Sequence, residues 1–252
     1  MLKQKHDSTK PSNTKDTTIT TTMSTKQLLQ LMHINDSAFP IGAYTHSFGM
    51  ETYIQQDLIH NKETLLNFCR TFLHENLAFG DGIFVKEVWQ TLATSSHFKR
   101  LYELDAICHS LKLAKESRQG SIKMGRQFLG TAAPLCSSSL LHEWKAAVND
   151  NLTHGHQAVS YGIYTHIQGI PLQIAISSFL YSSLANLIHN AVRAVPLGQT
   201  AGVQAIEEIL EDCEQVALDI ENRTIDDIAN QAIGIELASM EHEFLFTRLF
   251  IS

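Results

Sequence analysis

Cysteine is scarce in this chain and never paired. Cys69, Cys108, Cys136 and Cys213 stand far apart, and no C-x-x-C occurs. That excludes a zinc ribbon and a thioredoxin-like dithiol. Such sparse thiols suit a reducing cytoplasm. No run of about 20 residues is apolar enough to span a bilayer, and the N-terminus carries no apolar leader, so neither a membrane anchor nor a secretory peptide is expected. The dipeptide Gly-Lys is missing, and with it any P-loop. G-x-G-x-x-G and the strained G-x-S-x-G elbow are missing too. His-Glu occurs at His74, His142 and His242, but Ala78, Ala146 and Phe246 stand four residues on, so H-E-x-x-H fails three times. Positive charge is the minority sign: 19 Lys and Arg against 26 Asp and Glu leave a net charge of −7. A general nucleic-acid binder would carry a basic patch, so none is expected here. Strand signals are nearly absent.

What is present is a helical protein. The chain has 252 residues, 44% of them hydrophobic, enough to bury a sizeable core. Residues 1–23 are Lys, Ser and Thr with few large apolar side chains, and read as a disordered tail. From Ser24 the apolar period is helical. Ser24 or Thr25 can cap a first helix carrying Leu28, Leu29, Met32 and His33. After a bend at Pro40–Gly42, a short helix is predicted over Thr45–Gln56. Asn61 caps the next helix, with Leu65, Phe68, Cys69, Phe72 and Leu73 on one face. Further helices are expected from Ile83 and near 97–114, 116–130, 138–150 and 156–168, with Gly and Pro at the joints. The most apolar helix follows Pro171, which suits a first turn. Its stripe of Leu172, Ile176, Phe179, Leu180, Leu184, Leu187, Ile188 and Val192 belongs in the core. Its flank, with Ser177 and Tyr181, is a candidate contact with a second copy. The expected architecture is all-α, a single-domain bundle of roughly ten helices over 24–252.

Two stretches carry functional signals. The first is "DSAFPIGAYTHSFGMETY", Asp36 to Tyr53, which collects the side chains of a catalytic site around a Pro-x-Gly bend. Pro40 and Gly42 fit the second and fourth positions of a type I turn. On the helix predicted to follow, His46 and Ser47 diverge by about 100° and cannot pair as base and nucleophile, whereas Ser47 and Glu51, and Tyr44 and Phe48, share a face. This layout favours a recognition surface over a triad. The alternative is a stand-alone helical hydrolase using His46, Ser47 and Glu51, or a metal held by His154 and His156. Local structural roles for those two histidines are the plainer reading. The second stretch is the end of the chain. Phe244, Leu245, Phe246, Leu249, Phe250 and Ile251 crowd the last nine residues, around Arg248. An apolar end must be covered by its own core or by a partner. The region from Ile206 onward also holds twelve carboxylates against two arginines, either a solvated acidic face or a patch that steers a basic partner.

These two stretches, with a third between them, resemble the UreF family of urease accessory proteins: "DSAFPIGAYTHSFGMETYI", "RAVPLGQTAG" at Arg193–Gly202 and "MEHEFLFTRLFIS" at the end. Order and spacing match over Leu28–Ser252. Phe246 stands where the family pattern M-x-H-E-x-L-Y-x-R-L-F-x-S has tyrosine, which removes a hydroxyl and keeps the apolar role. The resemblance implies an all-α, cytoplasmic protein with no active site of its own. It implies two partners, UreD (also called UreH) and the GTPase UreG, and delivery of nickel to apo-urease through the interior of the complex. GTP would be bound by UreG, and no cofactor is held firmly by the chain itself. The protein is expected as a homodimer within that complex, with no nucleic acid and no membrane as partner. Carried onto this sequence, the partner-binding candidates are Tyr44, His46, Ser47 and Glu51, then Gln199, then Phe244, Phe246, Arg248, Leu249 and Phe250 in a tail over about 240–252. No metal site is firm, and His46, as a transient ligand, stands with His154 and His156 as a candidate.

Overall fold

The computed structural model describes residues 23–94 and 98–252. The tail expected over 1–23 lies outside them, Met23 excepted. Among the described residues every regular element is helical. The eleven α-helices are α1 (Thr25–Asn35), α2 (Met50–Gln55), α3 (Lys62–Thr71), α4 (Asp81–Thr94), α5 (Phe98–Leu111), α6 (Lys115–Ala132), α7 (Ser139–Asn149), α8 (Gln157–Ile167), α9 (Leu172–Ala194), α10 (Gln199–Glu221) and α11 (Ile233–Glu241).

Local chemistry sets several of the boundaries. Ser24 and Gln27 close a capping box at the start of α1, and Asn61 and Thr64 close another at α3. Pro171 stands just outside α9 as its N-cap. One hydrophobic core runs from Leu31 to Ile235. Its middle is α8, where every side chain from Gln157 to Thr165 is buried. A helix buried all round must be free of charge and rich in small residues, and "QAVSYGIYT" meets both demands. Its Gly162 lets α4 approach closely: a Cβ there would stand 2.9 Å from the Val85 carbonyl oxygen. The helix α9 packs against α10 and α4, burying the stripe from Ile176 to Ile188.

The structure corrects three local expectations. First, α1 buries Leu31 and Ile34, while Leu28, Leu29 and Met32 turn outward with 44%, 60% and 61% exposure. Second, no helix spans Thr45–Gln56. A single 3₁₀ turn covers Ala43–Thr45, and α2 starts only at Met50. Between them Phe48 and Gly49 take left-handed φ values of 51° and 86°, which no right-handed helix accommodates. A side chain at Gly49 would strike Ser239 and the Ile235 carbonyl oxygen, so the break is packed tightly on α11. Third, the bend at Pro40 is a γ-turn. The amide of Ile41 donates to Phe39 O at 2.8 Å, a three-residue closure. Gly42 then supplies the left-handed residue, at φ 79°.

Candidate functional site

The two informative stretches, far apart in sequence, meet in space. The chain end runs back along the break before α2, and Ile251 N donates to Thr45 O at 2.8 Å. The amides of Ser47 and Phe48 both donate to the backbone oxygen of Ser252. His46 Nδ1 shares a 2.6 Å hydrogen bond with Ser252 Oγ. Burial, reinforced by the Lys123 charge, pushes His46 down from its ordinary 6.5 to about 4, so its ring is neutral near pH 7.

The fastening is centred on Glu51, only 5% exposed. Its carboxylate accepts Leu249 N at 2.6 Å and Phe250 N at 3.1 Å. It also accepts His242 Nε2 at 2.8 Å. The other ring nitrogen of His242 lies 2.6 Å from Glu116 Oε2, and Arg248 reaches Oε1 of the same glutamate at 2.8 Å. Two carboxylates, one imidazole and one guanidinium thus tie α2, α6 and the chain end together. Arg193 adds a clamp on the other side. It donates to Tyr44 O at 2.9 Å, and its guanidinium stands 5.7 Å from the centre of the Phe250 ring. Asn190 donates to the carbonyl oxygens of Ala43 and His46.

This frame divides the expected partner-binding residues. His46, Ser47, Glu51 and Phe250 are buried within the chain and have no surface to offer in this arrangement. Tyr44, Phe244, Phe246, Leu249 and Ile251 point outward at 63%, 86%, 102%, 53% and 53% exposure. Arg248 is partly exposed beside Glu116, and Gln199 is exposed at the first position of α10. On α9, Tyr181 is 37% exposed and Ser177 half-buried, its hydroxyl donating to Gln173 O. His242, Glu116, Asn190 and Arg193 escaped the sequence reading as site residues. The repeated apolar-acidic texture of "MEHEF" was the one local hint for His242.

The triad reading is not assembled by this geometry. Ser47 Oγ is buried without a hydrogen-bond partner, His46 is spent on Ser252, and Glu51 is spent on His242 and two amides. The left-handed Phe48–Gly49 pair leaves Ser47 outside α2, so it does not share a helix face with Glu51. His154 and His156 do lie close, on a tight loop, and His109 joins them: the His109 and His154 rings stack at 3.6 Å, and His109 Nδ1 lies 3.2 Å from His156 Nε2.

Behind the break lies a narrow cavity of about 70 Å³. His46 and Phe48 reach it from the front, and Asp81, Lys112, Ser121 and Glu236 supply further polar groups. Asp81 and Lys112 pair at 2.8 Å on its wall. The π-helical turn at Phe72–Leu77 brings Phe72 and Asn76 to the same wall.

Together these features describe a helical protein whose chain end is pinned down by its backbone and displays its large side chains. Comparison with known proteins gives that description a family. The UreF family model matches residues 59–210. The chain is 43% identical over 203 residues to the urease accessory protein UreF of Sporosarcina pasteurii, covering 81% of this chain and 100% of that protein. It is 37% identical over 225 residues to the UreF of Lachnoclostridium phytofermentans, covering 89% of this chain and 98% of that one. The chain belongs to the UreF family of urease accessory proteins. Among the described residues no helix is long and apolar enough to cross a membrane.

Proposed function

We propose that this protein is a non-catalytic adaptor in the cytoplasmic assembly of the urease nickel centre, joining UreD/UreH to the GTPase UreG. The observation that carries the reading is the displayed chain end. Glu51 fixes the backbone at Leu249 and Phe250, while Phe244, Phe246, Leu249 and Ile251 are left facing solvent. Exposed aromatics on an ordered backbone are poor for solubility and good for docking, since little further ordering is needed on binding. UreD/UreH is the partner assigned to this surface, and Tyr44, held beside it by Arg193, extends it. The exposed edge of α9 at Tyr181 is assigned to a second copy of the chain. Nickel, as cargo bound for apo-urease, passes through the interior of the complex, and the polar-lined cavity behind His46 supports such a route. GTP is bound by UreG.

The test is reconstitution. The three accessory proteins are mixed with each omitted in turn and recovered on UreG. Retention of UreD/UreH only when this chain is present supports the adaptor role. Equal retention without it refutes the role. Hydrolysis of an ester, phosphate or nucleotide by this chain alone would favour an enzyme instead.

A further inference from the structure

We infer that His109, His156 and Ser121 form a proton relay between solvent and the polar cavity behind His46. The relay goes beyond the adaptor role and stands without it.

The hydrogen bonds set the path. His109, half-buried on α5, is the member that reaches solvent. Its Nδ1 lies 3.2 Å from Nε2 of the fully buried His156. On the other side of that ring, Nδ1 lies 3.0 Å from Ser121 Oγ. Ser121, on α6, lines the cavity together with Asp81, Lys112 and Glu236. Each gap is within hydrogen-bond reach. At about 70 Å³ the cavity has room for a few water molecules. Among the described residues no group of three His, Cys, Asp or Glu is placed to hold a metal ion, and the rings are partners to one another and to Ser121.

The path is held rigidly. Asp105, fully buried on α5, accepts four hydrogen bonds from the turn between α7 and α8: Thr153 Oγ1 at 2.6 Å, His154 N at 2.7 Å, and Gly155 N and His156 N at 2.9 Å each. The Gly155 carbonyl oxygen is pressed so close to Gly125, one turn beyond Ser121, that no side chain fits there. The His154 ring lies on His109 at 3.6 Å and an interplanar angle of 9°, which fixes the plane of the first ring.

Imidazole passes protons because it takes one at one nitrogen and gives one from the other. A solvent proton adds to His109 Nε2, and the Nδ1 proton of that ring moves to His156 Nε2. The Nδ1 proton of His156 moves to Ser121 Oγ, and the hydroxyl's own proton leaves into the cavity. Each group ends uncharged, with both rings in the other tautomer. The reverse steps carry a proton out and restore them. Both rings must be neutral at rest. Burial, helped by Lys112 and the neighbouring histidines, pushes His156 down to about 2, and burial with His154 lowers His109. Of the charged groups around them, Lys112 is paired with Asp81, and Arg118 is turned onto the carbonyl oxygens of Lys112 and Leu113. Asp105 is taken up by the loop, and Glu236 by Ala114 N. A cation captured by carboxylate or imidazole groups displaces protons, and from an enclosed cavity those protons need an exit.

The test is solvent exchange of imidazole protons in the full chain, with ¹⁵N-labelled histidine and NMR at pH 7. The buried His156 ring proton is expected to exchange at least tenfold faster in the wild type than in His109→Gln. The backbone amides of His154, Gly155 and His156, which report opening of the loop, should exchange alike in both. His154→Gln removes the stacked ring but no member of the path, and should leave His156 exchange fast. Ser121→Ala cuts the inner step, and should slow exchange of the His46 ring proton at least tenfold. Equal His156 exchange in the wild type and His109→Gln would overturn the relay, as would exchange that follows the loop amides in every variant. Unchanged His46 exchange in Ser121→Ala would overturn its connection to the cavity.

Discussion

His242 Nε2 meets Glu51 Oε2 at 2.8 Å with both side chains buried, across 191 residues of sequence. The opposite nitrogen of the same ring meets Glu116 Oε2 at 2.6 Å. Both nitrogens of the ring are thus taken up by carboxylate oxygens. Arg248 then sets a guanidinium against Glu116. The chain end is therefore fastened by a largely buried network of two carboxylates, an imidazole and a guanidinium.

Glu51→Ala removes one side of that network and leaves His242 Nε2 and the amides of Leu249 and Phe250 without their acceptor. Breaking a buried pair from one side costs about 3–5 kcal/mol. In a domain of this size that amounts to a drop in melting temperature of roughly 6–20 °C. The distinguishing readout is limited proteolysis. The variant should be cut within 242–252 well before the rest of the chain, and the wild type should not. Equal cutting of both would mean that the chain end is held by other contacts.

Acid should weaken the fold through its histidines. His46 is pushed down to about 4 and His156 to about 2, from an ordinary 6.5. The unfolded chain takes up these protons near pH 6.5, while the folded chain excludes them until pH 4 or lower. Stability is thus full above pH 6.5 and is lost as pH falls below it. The loss is about 1.4 kcal/mol per pH unit for each histidine within its window. Urea unfolding at pH 7, 6 and 5 measures it, and His46→Asn should flatten the slope by one histidine's share. A stability that does not change between pH 7 and 5 would contradict the buried, neutral state of both rings.

Tyr181→Asp tests the exposed edge of α9. The side chain is 37% exposed, and a carboxylate there costs the single chain little. At a contact between two copies it would place like charges face to face. Light scattering of the complex with UreD/UreH should show half the wild-type mass. An unchanged mass would leave α9 with a role inside the single chain only.

The elements were legible where one face is apolar and the other polar. Asn61, the apolar face of α3, and the helix after Pro171 fall where their pattern puts them. Legibility failed where the backbone departs from a repeat. Nothing in "THSFGM" announces that Phe48, a non-glycine residue, takes a positive φ, so the local pattern predicts a helix through the break. The outward turn of Leu28, Leu29 and Met32 was hidden for a different reason. An apolar face left at the surface has the same period as one turned to the core. His242 and Glu116 were invisible as a pair because a charge network closed over more than a hundred residues leaves no local signature. The same holds for His109, which has no local pattern that joins it to His154 and His156.

The chain end itself divides into two kinds of aromatic residue, and substitution should separate them. Phe250 is 3% exposed, with Arg193 beside its ring, whereas Phe244 and Phe246 are 86% and 102% exposed. Phe250→Ala empties a packed position and should cost about 3–5 kcal/mol. It should also loosen the chain end, since the buried ring anchors the segment whose amide Glu51 holds. The double variant Phe244→Ser/Phe246→Ser removes only exposed surface. Its melting temperature should match the wild type, with a change within about 0.5 kcal/mol. Its binding to UreD/UreH should nevertheless fall at least tenfold, because buried aromatic anchors dominate such interfaces. Thermal unfolding and a binding titration on the same samples give both readings. Tight binding by the stable double variant would move the docking surface elsewhere, with the exposed face of α1 at Leu28, Leu29 and Met32 next to be tested. Unfolding of the double variant would show instead that these two rings are covered by the chain itself in solution.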